Sequence, residues 1–94
     1  NDEMALGASL ALQAAGKKVG EDVFLVGVDG MKEALDAIKN GTLSATVTCN
    51  PRFASTLFDT IEKAMNGEQI DTFIPVEDKV IDKTNVDEYY EYGF

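Results

Sequence analysis

Four side chains in this sequence combine hydrogen-bonding chemistry with places where a small polar ligand could be held: Asn1, Asp29, Cys49 and Asn50. A carboxylate accepts two hydroxyl hydrogens in parallel, a carboxamide both donates and accepts, and a thiol does either only weakly. Asp29 closes the apolar run Val23-Phe24-Leu25-Val26-Gly27-Val28. Cys49 and Asn50 close the alternating run that begins at Leu43, and Asn1 stands directly before a helical pattern, where an upstream strand should end. In open α/β sheets ligands bind beyond the carboxyl ends of the strands. The three loops can therefore open onto one crevice.

Each position also has a plainer reading. Asp29-Gly30 is equally good turn chemistry, and Asn1 is equally a helix cap. Those alternatives stay open on the residues alone. Cys49 is in phase with Leu43, Ala45 and Val47, so a free, buried thiol is expected there rather than a nucleophile. No base that could activate it is in view.

Other chemistries are excluded more firmly. Histidine is absent, which removes serine–histidine triads, cysteine–histidine dyads and imidazole zinc sites. One cysteine gives neither an internal disulfide nor a four-cysteine metal site. Gly27-Val28-Asp29-Gly30 lacks the spacing and the lysine of a phosphate loop. Asp78, Asp82 and Asp87 do not match a calcium loop. No cofactor, no metal and no enzymatic activity are expected. The 94 residues carry 17 acids against 8 bases, a net charge of −9. No nucleic-acid partner is expected, because a phosphate backbone repels that charge.

The elements that must position these residues follow from periodicity. Residues 2–16 read as a helix with acids Asp2 and Glu3 at its positive end. Its polar stripe is Ser9, Gln13 and Lys17, so cover on more than one side is expected. The run 23–28, apolar on both faces, reads as a buried parallel strand. A second helix spans 31–39, with Met31, Ala34, Leu35 and Ile38 on one face and Asn40-Gly41 as its stop. Residues 43–49 read as a strand whose drier face carries Leu43, Ala45, Val47 and Cys49. A third helix opens with Asn50 as cap and Pro51 at its first position, and runs to Asn66. Its apolar arc holds Phe53, Leu57, Phe58, Ile61 and Met65. Residues 72–76 are expected as a short edge strand, 79–82 as another, and Thr84 or Asn85 as the cap of a last helix. The acid-rich segment 77–91 is expected on the surface. Alternation of helix and strand predicts an α/β layer fold with a mainly parallel sheet.

Three ordered blocks then carry a resemblance: Asn1-Asp2-Glu3-Met4-Ala5-Leu6-Gly7-Ala8, Val26-Gly27-Val28-Asp29-Gly30, and Gly41-Thr42-Leu43-Ser44-Ala45-Thr46-Val47. In sequence and spacing they resemble the C-terminal third of ribose-binding-protein-like periplasmic binding proteins, the solute-binding components of sugar ABC transporters. The resemblance covers essentially the whole chain and weakens after Pro75. It implies part of a type I periplasmic-binding-protein fold, three-layer α/β/α, with a monosaccharide clamped between two lobes. The asparagine and aspartate that bond sugar hydroxyls in the family correspond to Asn1 and Asp29. The family's third position is commonly glutamine. Here it is Cys49, whose thiol cannot span two hydroxyls, with Asn50 beside it to take over part of the role.

The same resemblance divides the chain. Residues 1–49 would be βα units of the C-terminal lobe. Residues 50–67 would be a hinge and a helix beside the N-terminal lobe, and 68–94 a return segment and tail. A chain that opens in mid-motif at Asn1 is expected to be a fragment of a larger parent. The implied partners are a sugar, the parent's N-terminal lobe and an ABC transporter permease. The implied location of the parent is the periplasm, or the cell exterior with a lipid anchor. Left alone, residues 1–94 are expected to self-associate through the uncovered arc of the third helix. The alternative is the effector-binding domain of a lactose-repressor-type regulator. Those proteins tend to carry Asp-Asp where this chain has Asp29-Gly30, which favours the transporter branch.

Overall fold

The computed structural model describes residues 1–94. Helix α1 spans Asp2–Ala14, strand β1 Val26–Asp29, α2 Lys32–Asn40, β2 Ala45–Thr48, α3 Ala54–Met65, β3 Val80–Asp82 and α4 Val86–Tyr89, with a 3-10 turn at Tyr90–Tyr92. The sheet order is β1-β2-β3. β1 and β2 pair in parallel, Val26 with Ala45 through Asp29 with Thr48. β3 joins β2 antiparallel, with Ile81 opposite Thr46.

Pleating decides which side of this sheet is dry. Gly27, Thr46 and Ile81 face α1, α2 and α4 and are buried. Val26, Val28, Val47 and Val80 point the other way and are exposed, Val26 and Val80 at 65% and 60%. The core gathers Ala5, Ala34, Leu35, Ile38, Leu43, Ile81 and Val86 on one side only. Residues 1–94 therefore supply two of the three expected layers, and the sheet, expected as mainly parallel, is mixed, with one parallel and one antiparallel pairing.

The phase expected for β2 is inverted. Its sealed residue is Thr46, while Val47 and Cys49 lie open. The alternation itself holds; what reverses it is a buried carboxylate that needs the Thr46 hydroxyl, described below. Helix α1, expected to be covered on more than one side, buries only the face of Asp2, Ala5 and Ser9 and leaves Met4 and Leu10 exposed. Ser9, read as part of a polar stripe, turns inward and donates to Thr42 O at 2.7 Å.

Three other expectations shift. Residues 72–76 form no strand, because nothing in this chain pairs with them. Helix α3 starts at Ala54, since Asn50 and Pro51 are drawn into a turn in which Asn50 Oδ1 accepts from Arg52 N at 2.9 Å. The acid-rich segment keeps its charges outside but inserts Ile81 and Val86 into the core.

The tail is fastened to α2. Phe94 O accepts from Lys32 N at 3.0 Å, and Tyr90 Oη donates to Asp36 Oδ1 at 2.8 Å. Lys32 and Lys39 stand over the Tyr90 ring at 4.9 and 4.1 Å. The bond to Asp36 raises the Tyr90 pKa above its ordinary 10.0. The Lys39–Asp87 hydrogen bond, 2.8 Å long, raises the lysine and lowers the aspartate from their usual values.

Helix α3 is the exception to all this packing. None of its residues is buried, and the molecule measures 59 × 22 × 17 Å with α3 standing clear of the sheet. No helix is long and apolar enough to cross a membrane. Leu35 and Ile61 therefore differ sharply in weight, although both sit on helical apolar arcs. In urea unfolding of residues 1–94, Leu35→Ala, made at a fully buried site, should lose about 2–5 kcal/mol. Ile61→Ala, made where the side chain is 44% exposed, should change stability by about 0.5 kcal/mol or less. Equal losses would mean that α3 folds back onto the sheet.

Candidate functional site

Parallel pairing brings the carboxyl ends of β1 and β2 to one edge, with Asp29 opposite Thr48. The backbone N–H of Cys49 donates to Asp29 O at 2.8 Å. Helix α1 begins at the same edge, and its first N–H, from Asp2, donates to Asp29 Oδ2 at 3.5 Å. Asn1 is the residue before it. Its Oδ1 accepts from Met4 N at 3.0 Å, so it caps α1, and its Nδ2 is left exposed. The helix-cap reading and a ligand-facing amide nitrogen are therefore compatible.

Asp29 is the one non-glycine residue with a positive φ, at 135°. That region of backbone space suits glycine, and a side chain held there costs of order 1–3 kcal/mol. Strain of this kind persists only where the surroundings over-determine it. Its carboxylate is partly exposed, with the long bond from Asp2 N as its contact in the chain.

Cys49 stands one residue past β2 and is exposed, not buried. The expectation of a sealed thiol fails for the reason that inverted β2: the dry face is the threonine face. Asn50 leaves this edge. Its Nδ2 donates to Tyr92 O at 2.8 Å, and Arg52 Nη2 reaches Gly93 O at 3.5 Å. These bonds tie the segment after β2 to the tail. A cavity of about 600 Å³ lies beneath that tie, lined among others by Thr48, Asn50, Arg52, Lys79, Tyr89 and Tyr92. Asn1, Asp29 and Cys49 are not in it. Those three stand at the open edge instead, and Asn50 lies at its margin.

The residue that sequence reading missed is Asp2. Read as a helix-dipole acid, it is in fact fully buried. Its Oδ2 accepts from Gly30 N and Met31 N, both at 2.8 Å, and its Oδ1 accepts from Thr46 Oγ1 at 2.6 Å. Gly27 makes room for it, because a Cβ there would lie 2.1 Å from Asp2 Oδ1. A signal existed: a glycine inside an apolar strand marks a close approach by other atoms.

Residues 1–69 match the model of the periplasmic binding protein domain. The chain belongs to that family. It is 43% identical over 82 residues to the ribose import binding protein of Haemophilus influenzae, covering 86% of this chain and 27% of that protein. It is 35% identical over 88 residues to the fructose import binding protein of Bifidobacterium longum, covering 94% of this chain and 26% of that one. Among solved structures, it superposes with a TM-score of 0.83 and 34% identity on the periplasmic binding protein component of the arabinose ABC transporter from Shewanella sp. ANA-3, bound to alpha and beta-L-arabinofuranose. That match covers 98% of this chain and 31% of the other. The chain thus spans about a quarter of the length of the curated relatives it matches. The type I fold read from the sequence is the fold of these neighbours, and its missing layer accounts for the open sheet face.

Two measurements on residues 1–94 follow. Asp29→Gly should melt at or above the temperature of the unaltered chain and above Asp29→Ala, because glycine adopts φ near 135° freely; a lower midpoint for Asp29→Gly than for Asp29→Ala would remove the strain. Cys49 should react with an aromatic disulfide reagent as fast under native conditions as in urea, and protection would return it to the interior.

Proposed function

We propose that this chain forms the closing part of a two-lobed sugar-binding protein that delivers a monosaccharide to an ABC importer. The observation that carries the reading is the wall at the carboxyl ends of β1 and β2. There Asn1 and the carboxylate of Asp29, carried on a strained backbone, stand together, joined through Asp2 N and followed by Cys49. An exposed amide nitrogen donates to a sugar oxygen, and the carboxylate beside it accepts from two hydroxyls. Hydrogen bonds to a charged group are worth roughly 1.5–3 kcal/mol each. Cys49 contributes contact and little hydrogen bonding. Asn50 retains a second amide hydrogen and sits where the chain turns away.

Several observations support the division of the chain. Residues 1–49 hold α1, α2, the two parallel strands and the wall, as part of a C-terminal lobe. Residues 50–67 form a hinge and a helix that packs beside an N-terminal lobe, which accounts for an α3 with no buried residue. Residues 68–94 return to the sheet as β3 and fasten the tail to α2. The relatives named above are import binding proteins, which supports transport over gene regulation and binding over catalysis. The corresponding location is the periplasm, with a permease as the partner that receives the closed, loaded protein.

A single wall does not hold a sugar, since recognition buries most of the ligand. Calorimetry against D-ribose, D-fructose and L-arabinose should give binding to the full-length protein and none to residues 1–94 alone. In the full-length protein, Asp29→Asn should weaken binding by about tenfold or more with its melting temperature maintained. Tight binding by the isolated 94 residues, or unchanged affinity in Asp29→Asn, would overturn the assignment.

A further inference from the structure

The carboxyl group of Asp2 has no cation beside it and is completely sealed from water. An uncompensated charge in that setting is strongly unfavourable. Its compensation comes from three donors on two separate elements: Gly30 N and Met31 N, which lead into the N-terminus of α2, and the Thr46 hydroxyl on β2. The same residue's backbone N–H reaches Asp29 Oδ2. The turn that Asp2 grips is therefore the one that follows Asp29 directly.

That placement supplies what the strained φ of Asp29 requires, a following peptide unit held at both its carbonyl and its N–H. Cys49 N holds the carbonyl of Asp29, and Asp2 holds the next two N–H groups. Gly30 is itself buried at φ 83°, with Thr48 Cγ2 as near as 3.2 Å to where its Cβ would lie. The turn has no other polar side chain to hold it.

We propose that Asp2 is the positioning residue of the ligand wall: its buried carboxylate, shared among Gly30 N, Met31 N and Thr46 Oγ1, holds Asp29 in its strained conformation and Asn1 beside it. This rests on the reading that Asn1 and Asp29 bind the sugar. Asp2 touches no ligand itself. Gly27 belongs to the same device, because any side chain there displaces the carboxylate.

The test has two arms. The first needs no sugar. The three-bond coupling between the amide and α protons of Asp29 is small at φ near 135° and large in ordinary extended backbone. Measured by NMR, it should rise in Asp2→Asn and in Gly27→Ala, with the Gly30 and Met31 amide protons moving upfield. A Leu35→Val control, weakened at a buried side chain that takes no part in the Asp2 bonds, should leave all of them in place. An unmoved coupling in both variants overturns the proposal whatever the sugar does.

The second arm measures D-ribose, D-fructose and L-arabinose affinity in the full-length protein, well below its melting temperature. Asp2→Asn should lose about tenfold and Leu35→Val should lose nothing. Loss in Asp29→Asn with full affinity in Asp2→Asn overturns the positioning role and leaves the sugar site standing. Full affinity in both, with the coupling moved, overturns the sugar site and leaves Asp2 as the residue that sets the Asp29 backbone.

Discussion

A carboxylate without a counter-ion at the centre of a small α/β unit dictates much of what surrounds it. Asp2 must meet donors on every side, because each unsatisfied oxygen in a dry interior costs far more than a solvated one. It meets them at the start of α2 and on β2, and so pins α1 to both. Gly27 has to be a glycine, Thr46 has to face inward, and the β1–α2 turn has to present its N–H groups. The phase of β2, the closeness of α1 to β1 and the conformation of Asp29 all follow from that one group. The positive end of α2 adds favourable electrostatics of the kind that anions find at helix N-termini.

The rest of the molecule is unevenly covered, and the unevenness has a pattern. One sheet face is sealed by helices, and the other shows a row of valines to water. Helix α3 carries an apolar arc with no buried residue. Exposed apolar surface on this scale marks places where further protein belongs. Both features fit a chain that spans about a quarter of its relatives. They also separate two kinds of stability. The α1–β1–α2–β2–β3 body has a core of its own, whereas α3 has only its helical hydrogen bonds, which are marginal at 12 residues.

The tail has a part in the site's surroundings although it contributes nothing to the wall. It closes over α2 through Tyr90 and Phe94, and it holds the segment after β2 through Tyr92 O and Gly93 O. The path from the edge that carries Asn1, Asp29 and Cys49 toward α3 thus passes a point where Asn50 and Arg52 are fastened to the C-terminus. The exposed ion pairs there, such as Lys39–Asp87, add little energy individually. The backbone-directed bonds give the tie its geometry.

Local signals in the sequence were enough for the order of elements, because each is written in a short window. Asn40-Gly41 stops α2 where a left-handed residue is required, with Gly41 at φ 77°. The 3.6 period of Ala34, Leu35 and Ile38 finds their burial correctly, and the three ordered blocks with Asn1, Asp29 and their spacing were legible as a family pattern. What tertiary structure alone decided is which way things face. Alternation in β2 has two phases, and only a partner from 44 residues away, Asp2, chose the threonine phase and left Cys49 open. The strand expected at 72–76 failed because pairing depends on a neighbour, not on the segment. The burial of Asp2 was invisible for the same reason. A charge at a helix start ordinarily stays in water, and only long-range packing can assemble the three donors that allow it inside.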